Sequence, residues 1–168
     1  MTGLLRATLI IICLLSPLLA AADEAQPSRS DNDGWAIDSW SVQISLYTHH
    51  FDPSPEHVNQ QDLLGLEAHF ANRWLAGGAA FKNSFGQSSQ YVYFGRTWPI
   101  WGSEHWYAKL TGGLLHGYKE PYENKIPFNG LGISPAVVPS LGFRYKLFVT
   151  EAHLGGVAVF TITAGVRF

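Results

Sequence analysis

Apolar and polar residues alternate along most of the chain with a period of two, the spacing of side chains on the two faces of a β-strand. In the first such segment one face carries Trp40, Val42, Ile44 and Leu46, and the other carries Ser41, Gln43, Ser45, Tyr47 and His49. In the last segment one face carries Phe160, Ile162, Ala164, Val166 and Phe168. The pattern predicts an all-β protein whose strands each have one apolar face.

Turn residues divide residues 40–168 into eight segments of about ten residues, the length of a tilted strand that crosses a bilayer. The predicted strands are 40–51, 61–71, 73–85, 89–98, 105–118, 130–139, 141–150 and 156–168. Backbone amides that face lipid must all be paired, so a membrane-spanning sheet has to close on itself. The alternation alone also fits a soluble antiparallel sheet with one wet face. The strand length and an export signal favour an eight-stranded antiparallel outer-membrane β-barrel.

The N-terminus resembles a bacterial secretion signal over residues 1–22. Arg6 gives it a positive charge, residues 9–19 are apolar, and three alanines at 20–22 offer a cleavage site. The apolar run is shorter than the roughly 20 residues of a membrane-spanning helix. Residues 23–39 are predicted to form a polar arm with interfacial aromatic residues such as Trp35. The barrel domain, 40–168, is therefore expected in the outer membrane of a Gram-negative bacterium.

The composition narrows the possible functions. Charged residues make up 14% of the chain, against roughly 25% in soluble domains, and aromatic residues also reach 14%. The formal net charge of −2 offers no basic face for nucleic acid. A closed barrel has no open sheet edge, so the protein is expected to be a monomer.

Prolines interrupt the sixth predicted strand. Pro127, Pro135 and Pro139 each lack an amide hydrogen, so the ladder of hydrogen bonds there is expected to be incomplete. An irregular loop would also explain them. In a membrane barrel such a gap would let a lipid tail enter sideways. The small residues Ser134 and Ala136 share one face between the prolines, which favours an internal acyl-chain pocket.

The sequence has seven histidines, and the densest group lies between His49 and His57. A metal site is one interpretation, but the ligand spacing is not distinctive. His49 ends the polar face of the first strand, so it is predicted to point into the lumen near the rim. An imidazole there can act as a general base, although a solvated loop histidine is the alternative.

Several short motifs resemble those of the lipid A palmitoyltransferase family, also called PagP. The stretch Phe81-Lys82-Asn83-Ser84 is similar to the family's Phe-Lys-Asp-Ser, with Asn83 in place of the aspartate. Tyr47-Thr48-His49 occupies the place of its Thr-Trp-His. The segments 94–98 and 125–142 are similar to its Tyr-Gly…Trp and proline-rich segments.

The resemblance implies an outer-membrane acyltransferase that moves a palmitoyl chain from a phospholipid to lipid A without a nucleotide or a metal. It implies that His49 is the general base and that Ser84 is either a nucleophile or an oxyanion donor. Asn83 would hold the imidazole or donate to the oxyanion. The remaining implied roles are the floor of the acyl pocket at Gly95 and a lateral lipid entrance at Pro127 and Pro139. Asp52 or Glu56 could supply the carboxylate that Asn83 lacks.

Three other functions are also compatible with the sequence. The first is a non-catalytic small barrel that binds lipid or braces the membrane. The second is a lipid A deacylase, whose His-x-Ser pair does not occur in this sequence. The third is a soluble periplasmic β-domain, which membrane fractionation would reveal.

Overall fold

The computed structural model describes residues 34–52, 54–156 and 158–168. The predicted signal peptide and residues 23–33 of the predicted arm lie outside these described residues. The chain forms a closed barrel of eight antiparallel strands in which each strand pairs with the next and the last pairs with the first. The strands are β1 (Ile37–His50), β2 (Leu64–Phe70), β3 (Trp74–Lys82), β4 (Ser88–Pro99), β5 (Trp106–His116), β6 (Ile133–Tyr145), β7 (Phe148–Gly155) and β8 (Val159–Arg167). The prediction of an all-β, eight-stranded antiparallel barrel is confirmed.

Two short 3-10 helices, Glu123–Lys125 and Asn129–Leu131, lie in the loop between β5 and β6. Among the described residues we find no helix with the length and apolar character needed to cross a membrane.

The barrel is apolar outside and polar inside. Its exposed side chains include Ile44, Leu46, Leu64, Leu66, Val92, Leu110, Leu114, Val137 and Phe148. Its buried polar side chains include Ser41, Gln43, Glu67, His69, Lys109, Thr111, Glu151, Thr161 and Thr163. A water-soluble sheet would bury the first set and expose the second. The inverted arrangement is that of membrane-spanning barrels, whose strands alternate between lipid and lumen.

The predicted orientation holds along the first part of β1 and then reverses. The pairing of β1 with β8 shifts by one residue between Ser45 and Tyr47, which marks a β-bulge. A one-residue shift moves every following side chain to the opposite face. The prediction that His49 points into the lumen is therefore wrong. His49 is exposed outside, its ring next to that of Phe51 with centroids 5.9 Å apart, and His50 is buried inside.

The turn between the sixth and seventh strands also differs from the prediction, which placed it at Ser140. In the structure β6 continues to Tyr145 because Pro139 is accommodated in register with Leu110 of β5. The chain instead turns at Lys146, which adopts a left-handed backbone conformation with φ of 54°. Hydrophobic alternation continues on both sides of Ser140, so the proline alone suggested a turn there.

The two ends of the barrel differ. Residues 71–73, 100–105 and 146–147 make tight turns at one end, called here the short-turn end. The opposite, long-loop end carries the connections 51–63 and 117–132. Outer-membrane barrels have short periplasmic turns and longer extracellular loops, so the long-loop end is the one expected on the outer side.

The wall between β6 and β7 is only partly hydrogen-bonded. The ladder joins Ser140–Tyr145 of β6 to Phe148–His153 of β7. Toward the long-loop end, residues 133–139 pair with β5 but have no β7 partner in the described part of the chain. The gap contains Pro135 and ends at Pro139, consistent with the incomplete ladder that the prolines predicted.

A network of buried charges fills the barrel toward the short-turn end. The Lys109 ammonium on β5 donates to Glu67 Oε1 on β2 at 2.8 Å and also to Glu151 on β7. The hydroxyl of Tyr93 donates to Glu67 at 2.8 Å, and that of Tyr107 donates to Glu151 at 2.6 Å. Three distant strands are thereby joined across the lumen, and each carboxylate has several donors.

Glycine lets β4 and β5 approach closely at Gly113. A Cβ atom there would lie 2.1 Å from the carbonyl oxygen of Val92, whereas a Cβ atom at the neighbouring Gly112 would meet nothing within 4 Å among the described residues. We expect Gly113→Ala to lower the free energy of unfolding by about 1–3 kcal/mol, because the strands must move apart. Gly112→Ala should leave it unchanged or raise it by less than about 1 kcal/mol. Urea unfolding in detergent micelles, followed by tryptophan fluorescence, measures both, and equal losses would contradict the explanation.

Candidate active site

A cavity of about 640 Å³ extends into the barrel from its long-loop end. At the long-loop end it is lined by His50, His57, Ser84, Phe85 and Tyr118. The middle is mainly aliphatic, with Leu63, Gly65, Ala79, Phe81, Leu115, Ala136, Val138 and Val159. The inner end is polar, with Gln43, Glu67, Tyr91, Tyr93, Lys109, Thr111, His153 and Thr163. The cavity therefore runs from a histidine-rich rim through an apolar section to the buried charges.

Three side chains at the rim form a hydrogen-bonded array. Nε2 of His50 lies 2.8 Å from Oγ of Ser84, and Nδ1 of His50 lies 2.9 Å from Oδ1 of Asn59. An amide oxygen can only accept, so Nδ1 carries the hydrogen and Nε2 presents a lone pair to the serine hydroxyl. A nucleophile, a base and a group that orients the base stand in the order that acyl-transfer enzymes use.

Different elements supply the three residues. His50 is the last residue of β1 and faces inward because of the bulge at Ser45–Tyr47. Ser84 lies in the tight loop that follows β3. Asn59 belongs to the segment 54–63, which returns from β1 to β2 across the barrel mouth.

Backbone hydrogen bonds hold segment 54–63 against Ser84. The amide of Val58 donates to the carbonyl of Ser84 at 2.8 Å. The amide of Lys82 donates to the carbonyl of Gln61 at 2.6 Å, so the segment is fastened on both sides of Asn59. The position of Asn59 relative to His50 and Ser84 is thus set by main-chain contacts as well as by its own side chain.

Asn83 makes no hydrogen bond to the array of Asn59, His50 and Ser84 among the described residues. Its side chain is fully buried and closes the loop 83–87: Oδ1 accepts from the amides of Phe85 and Gln87, both at 3.0 Å. Its Nδ2 donates to the side chain of Gln87 and the carbonyl of Gly117. The predicted contact between Asn83 and the imidazole is replaced by one from Asn59. The role of Asn83 is to fix the backbone on which Ser84 sits.

Tyr118 is a further polar neighbour of Ser84. Burial raises the pKa of Tyr118 above its ordinary value, and hydrogen bonds with the side chain and backbone of Ser84 partly oppose this shift. The phenol therefore keeps its hydrogen at neutral pH, and its oxygen accepts from the backbone amide of Ser84, so that its own O–H can donate to a bound group.

The residues predicted to bind the acyl chain divide into two groups. Pro127 lines the cavity near its mouth, as does Pro135. Pro139 is exposed on the outer wall of β6, and Gly95 lies outside the cavity lining. Gly95 does face inward as predicted, but its role is packing: a Cβ atom there would lie 2.5 Å from the carbonyl oxygen of Leu110. Tyr91 and Tyr93, stacked with ring centroids 4.7 Å apart, lie above it at the inner end of the cavity.

Sequence reasoning missed His50 and Asn59. Two histidines are adjacent at positions 49 and 50, and the strand alternation predicted that His49 faces the lumen. The bulge that reverses this orientation has no strong signature in a sequence. Asn59 lies in a polar loop beside Gln60 and Gln61, so nothing in its surroundings singled it out. Ser84 was identified through its motif, and the structure places it at the centre of the array.

Comparisons with known proteins bear on the fold. No protein-family model and no curated protein matches this chain. A de novo designed transmembrane β-barrel is similar over 81% of this chain and 98% of its own, with a TM-score of 0.50 and 11% identity. Ail, an outer membrane protein of Yersinia pestis solved in a phospholipid bilayer nanodisc, gives a TM-score of 0.46 and 18% identity over 77% of this chain and 99% of Ail. Crystalline Ail with the heparin analogue sucrose octasulfate gives 0.43 and 18% over 77% and 97%. The designed barrel agrees with a closed transmembrane barrel and carries no information about activity.

Proposed function

We propose that this protein is an outer-membrane acyltransferase that moves a palmitoyl chain from a phospholipid to lipid A in a Gram-negative bacterium. The observation that carries the proposal is the array of Asn59, His50 and Ser84 at the mouth of the barrel cavity. A structural barrel has no need for a polar array above an open, aliphatic cavity. The protein is expected to act as a monomer without a nucleotide or metal cofactor.

The cavity suits a long acyl chain. Taking about 30 Å³ for each water-sized group, its 640 Å³ holds roughly 20 methylene-sized groups. Burying a methylene group contributes about 0.8 kcal/mol, so an acyl chain in the aliphatic section binds strongly. The chain ends where Tyr91 and the charged residues begin, because a methyl group gains nothing by displacing water from a polar surface. This polar floor, rather than Gly95, sets the proposed limit on chain length.

The gap between β6 and β7 supports a lateral entrance for the donor. Residues 133–139 have no β7 partner in the described ladder, and Pro127 and Pro135 line the cavity beside them. A phospholipid in the outer leaflet can pass its tail through an opening in the wall without leaving the membrane. Pro139 contributes by ending this unpaired stretch rather than by touching the chain.

The array supports a two-step acyl transfer. Oγ of Ser84 attacks the ester carbonyl of the phospholipid while Nε2 of His50 takes the serine proton, and Tyr118 donates a hydrogen bond to the developing oxyanion. Collapse breaks the ester bond, and His50 gives its proton to the departing lysophospholipid. A lipid A hydroxyl then attacks the acyl-Ser84 ester and loses its proton to His50. As the ester bond to Ser84 breaks, His50 returns that proton to Oγ of Ser84. Asn59 holds the imidazole throughout.

The function is tested by expressing the chain in bacteria whose lipid A lacks the added chain. Mass spectrometry of lipid A should show the mass gain of one palmitoyl group with the intact protein and none with Ser84→Ala. Heat-modifiable gel mobility confirms that both proteins form barrels. A mass loss would instead indicate deacylation. An unchanged spectrum from an assembled barrel would contradict the proposal and favour the non-catalytic barrel.

Asn59 provides a second prediction. Asn59→Ala removes a hydrogen bond to an imidazole that becomes charged during the reaction, so kcat should fall roughly 10- to 100-fold. Gln60→Ala changes the next residue of the same segment, whose side chain contacts Asp62 rather than the array, and should leave the rate near that of the unaltered protein. Both variants are assayed in micelles with labelled phospholipid and lipid A. A similar decrease in both would indicate loss of the segment as a whole.

A further inference from the structure

A second histidine lies directly against the base of the array. The rings of His50 and His57 stack with centroids 4.6 Å apart and planes inclined by 28°. His57 also contacts the ring of Phe85 edge to face, with centroids 5.4 Å apart. His57 is thus in contact with both the base and an aromatic ring at the mouth of the cavity.

The backbone builds this position. The amide of His57 donates to the carbonyl of Ser54 at 2.9 Å, which turns the segment back toward the barrel. The next amide, that of Val58, donates to the carbonyl of Ser84. The stacked ring and the serine are therefore joined through one residue of main chain.

The hydrogen bonding of His57 favours a neutral ring. Its Nδ1 atom is buried and has no hydrogen-bond partner in the described part of the chain. A charged imidazolium carries hydrogens on both nitrogens, and the hydrogen on Nδ1 would have no acceptor. A neutral ring with its hydrogen on Nε2 avoids this, and it presents a π-face to His50.

We infer that His57 is a positioning residue that stabilises the charged form of His50 during catalysis. His50 becomes an imidazolium only when it has taken the proton of Ser84 or of the acceptor hydroxyl. A neutral aromatic face within 6 Å attracts a cation, so the stack strengthens as the charge develops and lowers the barrier. The effect of His57 on catalysis rests on the proposed function. Its effect on the charge of His50 does not depend on that function.

Other ionisable groups lie in the neighbouring elements. Tyr118, after β5, and Lys125, in the first 3-10 helix, line the same cavity, and Glu56 precedes His57 in the segment. The experiment therefore changes only the side chain of residue 57 and leaves these ionisable groups in place.

Two variants separate stacking from packing. His57→Phe keeps an aromatic face, whereas His57→Leu keeps an apolar side chain of similar reach without one. We expect His57→Leu to lower kcat for transfer about 2- to 5-fold with KM unchanged, and His57→Phe to keep kcat close to that of the unaltered protein. In carbon-13 NMR titrations in micelles, the midpoint of His50 protonation should be about 0.4–0.7 pH unit lower in His57→Leu than in His57→Phe.

The outcomes distinguish this inference from the proposed function. Equal midpoints in the two variants, with barrels confirmed by gel mobility, would overturn the role of His57 whatever the activity. A shifted midpoint in a protein that never transfers an acyl chain would support the stacking effect and refute the acyltransferase. A lower kcat in both variants with equal midpoints would show that residue 57 acts only through shape, which also overturns the inference.

Discussion

His50→Ala should lower the rate of the proposed palmitoyl transfer by about 10²- to 10⁴-fold, the usual contribution of a positioned general base. The rate falls because Ser84 then has no acceptor for its proton, since Nε2 of His50 is the atom that lies 2.8 Å from Oγ of Ser84. His49, one residue away, is exposed on the outer wall. His49→Ala should therefore change the rate less than about threefold, since it removes no proton acceptor.

His49→Ala and His50→Ala remove the same side chain from adjacent positions of one strand, so the two variants differ only in the face of the barrel that loses its imidazole. Rates are measured with labelled phospholipid and lipid A in micelles, after gel mobility shows that each barrel is closed. A large loss in His49→Ala with activity retained in His50→Ala would contradict the register of β1 and restore the assignment that strand alternation alone suggested.

Lys109→Met should lower the free energy of unfolding by about 3–5 kcal/mol, the usual result of removing one partner from a buried ion pair. Lys109 is 3% exposed, and the carboxylates of Glu67 and Glu151 that it joins are 3% and 2% exposed. Methionine fills a similar volume, so the loss comes from two buried negative charges that face each other without the ammonium between them.

Two comparisons test this explanation by urea unfolding in micelles. Lys146→Met alters an exposed lysine in the turn before β7, whose ammonium lies 5.5 Å from the ring of Tyr145, and should cost less than about 1 kcal/mol. Combining Lys109→Met with Glu67→Gln and Glu151→Gln removes the unpaired charges and should recover most of the stability. No recovery in the triple variant would show that packing around Lys109, rather than charge, determines the effect.

The fold could be predicted from the sequence because a membrane barrel repeats one physical constraint along every strand. Each strand residue faces either lipid or lumen. The polarity of a side chain therefore predicts its face, as it does for the outward Val92 and the inward Gln43. The predicted strand ends were less accurate where a proline lies inside a strand, as Pro139 does in β6. Proline breaks helices and removes one amide hydrogen, but an antiparallel ladder that is unpaired on one side tolerates it.

The site could be predicted only in part. Ser84 lies in a tight loop with a recognisable motif, so its location followed from the sequence. The partner histidine depended on a bulge at Ser45–Tyr47, and Asn59 depended on how segment 54–63 crosses the barrel mouth. Both are decided by contacts between residues distant in the chain, which hydrophobic periodicity does not record.

The bulge in β1 has a consequence for how the chain can vary. If one residue before Tyr47 were deleted and the strand lost its bulge, His49 would turn inward and His50 outward. The lumen would still receive an imidazole at nearly the same height, because two histidines occupy consecutive positions. The doublet thus keeps an imidazole in the lumen after a single-residue slip in this strand, a length change that would otherwise remove the proposed base in one step.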